Sequence, residues 1–126
     1  MEIVNEFNTT SNMFLDLLYS FTRDSDISFY KKAMNKMIQG DNNILIEQFI
    51  INCLIYNVQI QNKDYKYFVD IEIKDKVKVN DSKSLLNVTK IKGMIEKFDS
   101  NKISLIFDYL QLLCNFSIEY LHNKVK

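Results

Sequence analysis

SNKISLIFDYLQLLCNFSIEYLH, residues Ser100 to His122, is the strongest helical pattern in the chain, and it governs the architecture. Two apolar stripes run along it at steps of three and four. Ile103, Ile106, Phe107, Leu110, Leu113, Cys114, Ser117, Ile118 and Leu121 form the first, and Leu105, Tyr109, Leu112, Phe116 and Tyr120 the second. Ser104, Asp108, Gln111, Asn115, Glu119 and His122 are left with one narrow polar strip. A helix apolar over most of its circumference has to be covered on several sides. It is expected either at the centre of a bundle or shared between a core and an interface.

Working outward, Asp99-Ser100-Asn101 caps this helix, because each residue type can accept an early backbone N–H. Upstream, Val88, Ile91, Ile95 and Phe98 step by three and four, which predicts a helix from about Lys83 to Lys97 behind a cap at Asp81 or Ser82. Gly93 costs that helix about 1 kcal/mol relative to alanine unless a neighbour needs close approach. The short break before Ser100 favours an antiparallel hairpin of the last two helices.

The N-terminal half predicts three more helices. Ile3–Thr22 is amphipathic through Val4, Phe7, Phe14, Leu17, Leu18 and Phe21, although Thr9, Thr10 and Ser11 weaken its start and place a firm beginning near Ser11 or Asn12. Asp24 to Asp26 can cap Ile27–Gln39, whose apolar face is Ile27, Phe29, Tyr30, Ala33, Met34, Met37 and Ile38, with Gly40 as its stop. From Asp41 or Asn42 a third helix reaches about Val58, with Ile46, Ile51 and Ile55 off its main face and therefore expected to be covered from a second side. Between Gln59 and Ser84, Tyr67, Val69, Ile71 and Ile73 alternate with polar residues, and Val77 and Val79 do the same. That alternation leans toward short strands or a β-hairpin, against a long ordered loop. The expected fold is mainly α: one domain over residues 1–126, a compact four- to five-helix bundle with a partly extended or β-hairpin excursion around residues 65–80.

Composition narrows the function classes. Sixteen basic residues balance sixteen acidic ones, proline is absent and glycine occurs twice. Zero net charge removes the simplest case for a general phosphate-backbone binder. Met1 to Thr10 is polar and is not expected to be a signal peptide. Ile103 to Leu121 has the length of a membrane span but carries Asp108 and Glu119, so a soluble, intracellular protein is expected. Cys53 and Cys114 fall on apolar faces, where a free thiol behaves as a small hydrophobe.

No pattern for catalysis, metal or cofactor is found, and no small-molecule substrate is implied. HExxH, CxxC, EF-hand and phosphate-cradling glycine motifs are all missing. His122, the sole histidine, lies in the last helical turn, where the dipole favours its charge. Asp108 and Glu119 could work as an acid–base pair, but carboxylates on one polar strip are ordinarily a solvated face. The chain is therefore expected not to be an enzyme. The favoured function is protein–protein interaction, by self-association as a homo-oligomer or by docking to another protein, through Tyr109, Leu112, Phe116 and Tyr120. The alternative is a nucleic-acid-associated regulator using Lys74, Lys76, Lys78 and Lys83 beside Tyr65, Tyr67 and Phe68. Asp70, Glu72, Asp75 and Asp81 cancel much of that charge.

Two runs also carry a resemblance. Ile95-Glu96-Lys97-Phe98-Asp99-Ser100-Asn101-Lys102, followed by Ile106-Phe107-Asp108-Tyr109-Leu110-Gln111-Leu112-Leu113, is similar to a pattern in small helical proteins of giant (nucleocytoplasmic large) DNA viruses. Lys63-Asp64-Tyr65-Lys66-Tyr67-Phe68-Val69-Asp70 is similar to a stretch of the same proteins. The likeness covers Lys63 to Tyr120, and departs from the pattern at Phe107, where tryptophan is frequent, and at Val69, where leucine is. It implies a viral structural or interaction protein without assigned activity, in the host cytoplasm or virus factory, with packaging in the virion as a further option.

Overall fold

The computed structural model describes residues 1–70 and 88–125. The described residues form seven α-helices and one 3-10 turn, with no strand among them: α1 (Glu2–Thr22), α2 (Ser25–Gly40), α3 (Ile44–Asn52), the 3-10 turn Leu54–Tyr56, α4 (Asn57–Gln61), α5 (Tyr65–Asp70), α6 (Val88–Lys97) and α7 (Ser100–Val125). The mainly-α class stands. Four or five helices is too few, for two local reasons at α3–α4 and at α5.

Helix α7 is the axis. Its inward side buries Ile103, Ile106, Phe107, Leu110, Leu113, Cys114, Ser117 and Tyr120. Asp99 caps it as the sequence suggests, its Oδ1 accepting the Lys102 N–H at 3.0 Å. The most extensive packing in the fold is α1 against α7. Helix α1 starts at Glu2 rather than Ser11, because its polar residues close their own bonds. The Ser11 hydroxyl donates to the Phe7 carbonyl at 2.9 Å and the Asn12 amide to that of Asn8 at 3.1 Å. Helix α1 stops at Arg23, which takes left-handed φ 54° and donates its N–H to Tyr19 O at 2.7 Å.

Helix α2 lies outside this pair. Asp24 caps it by accepting the Asp26 N–H at 2.9 Å. Only Met34 on it is buried, and Phe29 and Tyr30 face solvent despite their place in the apolar pattern. Amides bind α2 to α1. Asn12 and Asn35 exchange side-chain hydrogen bonds of 3.2 and 3.1 Å, and Asn8 donates to the Asn42 carbonyl and side-chain oxygens at 3.0 and 3.1 Å.

The expected third helix is broken at Cys53. The backbone tightens there into the 3-10 turn, with Tyr56 N–H donating to Cys53 O at 2.9 Å, and the path bends by 51°. The bend occurs without proline or glycine. It holds Leu45, Ile46, Phe49, Cys53 and Ile60 in the core and turns Ile51 and Ile55 outward. A second cover over Ile51 and Ile55 was the expectation; only Ile46 of the three is buried.

The second correction concerns residues 65–80. Residues 65–70 are helix α5, not strand, so the β-hairpin is not supported there; residues 71–80 lie outside the described residues. Asp64 Oδ1 accepts the Tyr67 N–H at 3.2 Å, an N-terminal cap. Tyr65 and Phe68, three apart, then place both rings edge-on to Phe107 at 4.8 and 5.7 Å. Phe68 is fully buried while Tyr67 and Val69 are exposed, the reverse of what alternation suggests. Helix α6 buries Val88 and Ile91 and packs chiefly on α5 rather than forming a hairpin along α7. A Cβ built on Gly93 would meet no atom within 4 Å, so no close approach explains that glycine.

Candidate interaction surface

The second apolar stripe of α7 is partly covered: Leu105, outside the four candidate residues, is 46% exposed. Tyr120 is 2% exposed, with its hydroxyl 3.5 Å from Glu47 Oε2 on α3. Tyr109 is half-buried and stacks on Phe14 of α1 with centroids 5.7 Å apart, and Phe116 is half-buried against the core. Leu112 alone of the four is exposed, at 45%. The chain's own α1 and α3 supply the cover.

The polar strip of α7 is a seam. Lys63 Nζ lies 2.7 Å from Asp108 Oδ1 and donates to the Ser104 hydroxyl at 2.8 Å. The Gln111 amide donates to the Ile60 and Gln61 carbonyls at 3.3 and 3.1 Å, closing the exposed end of α4, and Gln61 donates to Asn115 at 3.0 Å. The hydrogen bond that Lys63 donates to Asp108 is the largest cause holding the Lys63 ammonium above its ordinary range. Asp108 and Glu119 stand eleven residues apart on one helix, roughly 16 Å along the axis, too far to share one reacting atom. His122 is exposed near the end of α7. No group of three or more His, Cys, Asp or Glu side chains that could hold a metal ion occurs among the described residues. Lys74, Lys76, Lys78 and Lys83 lie outside the described residues.

The two cysteines are buried, and neither is in a disulfide. Burial pushes Cys114 up to about 12 and Cys53 higher still, with the neighbouring Cys114 adding to the effect at Cys53. Both are held as neutral thiols, the opposite of what a nucleophile needs.

Two apolar features remain. The first is a cleft of about 380 Å³ between α1, α2 and α6, lined by Leu15, Leu18, Ile27, Tyr30, Met94 and Phe98. Leu15 and Leu18 are already buried, so an occupant would remove little further surface from water there. The second is the outer side of the bend: Ile51, Ile55 and Val58 are 77%, 78% and 64% exposed. Ile51 lies in the last turn of α3, Ile55 in the 3-10 turn and Val58 in the first turn of α4, so all three sit at the bend. Ile118 is also exposed, one turn beyond the Asn115 that binds Gln61, and extends the ridge on the flank of α7 facing α4. Ile51 and Ile55 fall off the main face of their helix, but spacing puts Val58 on the buried face, so the sequence does not disclose the ridge. Buried and exposed off-face residues look alike until the neighbours are known.

No single helix among the described residues is long and apolar enough to cross a membrane; α3 and the Leu54–Gln61 segment pass on length and composition only when taken together across their bend. No protein-family model matches the chain. It is 26% identical over 129 residues to an uncharacterized protein of Acanthamoeba polyphaga mimivirus, an alignment spanning 97% of this chain and 72% of that protein. The match supports a giant-virus origin. It also runs over nearly the whole chain, so the likeness is not confined to Lys63–Tyr120. No solved structure matches.

Proposed function

We propose that the protein is a non-enzymatic interaction module of a giant virus, and that it docks through the ridge at the α3–α4 bend instead of through the second stripe of α7. One observation carries this: three β-branched side chains at the bend, each with well over half its surface in water. Isolated exposed apolar residues are ordinary on a protein surface, whereas a contiguous uncharged group of them marks an interaction site. Within the notional α7 interface only Leu112 is comparably open, and one leucine is no more than background.

A photo-crosslinking residue in place of Val58, introduced into the chain in virus-infected cells, tests the proposal. Discrete protein adducts that vanish when Ile51→Asp and Ile55→Asp are added are the expected result. A chain that gives no adduct, or adducts indifferent to those substitutions, overturns the proposal.

A further inference from the structure

We propose that the cleft between α1, α2 and α6 is a binding site for a fatty acid, one carboxylate on one hydrocarbon chain. The cleft is separate from the ridge at the α3–α4 bend, and neither reading depends on the other.

Three helical stripes build the cleft. Leu15, Leu18 and Thr22 recur along α1 at steps of three and four, and Ile27 and Tyr30 stand one turn apart on α2. Lys90, Gly93, Met94 and Lys97 share one face of α6. Helices α2 and α6 border the space without packing extensively on each other. The floor offers an occupant little, because Leu15 and Leu18 are already buried. The walls offer more: Ile27, Met94 and Phe98 are only half-buried, and Tyr30 is exposed. It is this wall surface that an occupant removes from water. At about 380 Å³ the cleft falls within the roughly 300–1,000 Å³ of small-molecule sites, which are likewise mostly apolar with a few polar groups.

Gly93 is the second observation. Glycine is the poorest helix former after proline, and no close approach requires it in α6. It lines the cleft, and a Cβ built on it meets no atom within 4 Å. What the missing side chain preserves is open space between the two lysines.

Charge selects the ligand. Two ammonium groups, Lys90 and Lys97, and one carboxylate, Asp24, line the cleft. Asp24 already accepts the Asp26 N–H at 2.9 Å as the cap of α2. Lys90 Nζ lies 5.3 Å from the centroid of the Tyr30 ring, and Lys97 Nζ 5.7 Å from that of Phe98. An ammonium resting on a ring keeps N–H donors for an oxygen ligand. A cationic excess beside an apolar wall suits a carboxylate with a hydrocarbon tail and repels a cationic amphiphile. The lysines are seven residues apart, roughly 10 Å along the axis. A chain lying over Gly93 and Met94 therefore reaches a lysine with its head.

The test is an NMR titration of the methyl-labelled full chain with sodium decanoate below its micelle concentration. Saturable shifts of the Ile27 δ1 and Met94 ε methyls are expected, with those of Ile51 and Ile55 unmoved. Gly93→Leu, which fills the open space, weakens binding at least about tenfold. The Lys90→Gln, Lys97→Gln double variant weakens decanoate about tenfold or more and leaves the neutral analogue 1-decanol within about threefold. Thermal melts establish that the variants are folded, and the lysine variant decides the matter if Gly93→Leu is not. No saturable shift at Ile27 and Met94 overturns the proposal. So does decanoate binding indifferent to both folded variants, or decyltrimethylammonium bound as tightly as decanoate.

Discussion

Replacing Phe68 by alanine separates the helical α5 from the strand that alternation suggests. In a strand, Tyr67 and Val69 would face the core and Phe68 would face out. In the structure Phe68 is fully buried and its ring meets those of Phe107 at 5.7 Å and Tyr56 at 5.8 Å. Truncating a buried phenylalanine costs about 3–5 kcal/mol from lost transfer energy and the cavity left behind. That range already contains part of the aromatic pairing, which is about 0.5–1.5 kcal/mol per pair. A loss of about 4 kcal/mol is a large share of the stability of a domain this size, typically 5–15 kcal/mol. Val69→Ala, at an exposed position, should stay within about 0.5 kcal/mol. Urea unfolding followed by far-ultraviolet circular dichroism measures both, with equal m-values required for the comparison. A loss below about 1 kcal/mol for Phe68→Ala together with a loss above about 2 kcal/mol for Val69→Ala would refute the helix and restore the strand.

Three further outcomes follow from local geometry. Gly93→Ala should stabilise the fold by about 1 kcal/mol in the same assay, because α6 gains a better helix former and the added Cβ meets nothing. Arg23→Gly should also stabilise, by roughly 0.5–1 kcal/mol, since glycine accepts the left-handed φ of 54° without penalty and only a weak contact with the Tyr19 ring is lost. For the thiols the sign is set by burial. Their folded values lie above the ordinary thiol value of 9.0, so stability is intact below that pH. It falls as pH rises from there toward about 12 for Cys114, while the unfolded chain ionises and the folded one does not. The slope approaches about 1.4 kcal/mol per pH unit for each thiol, and a Cys53→Ala, Cys114→Ala double variant should flatten it in urea titrations between pH 8 and about 10.5.

The N-terminal half of α7 shows how much the residues disclose by themselves. Its first stripe from Ile103 to Ser117 and its Asp99 cap follow from spacing and donor chemistry and stand in the structure, whereas Ile118 and Leu121, expected on the same stripe, are exposed. Its second stripe illustrates the limit. Tyr109 and Tyr120 are as apolar in pattern as Leu112, and only the arrival of Phe14 and Glu47 from distant helices decides which of them stays open. Helix α5 was hidden for another reason. Six residues are too few for helical periodicity to outweigh alternation, and its anchor is Phe107, far away in the chain. The bend at Cys53 contains neither proline nor glycine, so no local breaker announced it, and the ridge that the bend creates was unreadable with it. The seam between α4 and α7 was equally silent, because Gln111 and Asn115 read as solvated residues until the Ile60 and Gln61 carbonyls need a donor and the Gln61 amide an acceptor.

The most direct test of the ridge is the solvent relaxation of isoleucine δ1 methyls, measured with a soluble paramagnetic agent at low protein concentration. At low concentration Ile51 and Ile55 should be strongly enhanced, with Ile46, Ile60, Ile91 and Ile106 unaffected. Ile51 and Ile55 as silent as the buried isoleucines would mean that the ridge is covered within one chain, and would contradict an interface there.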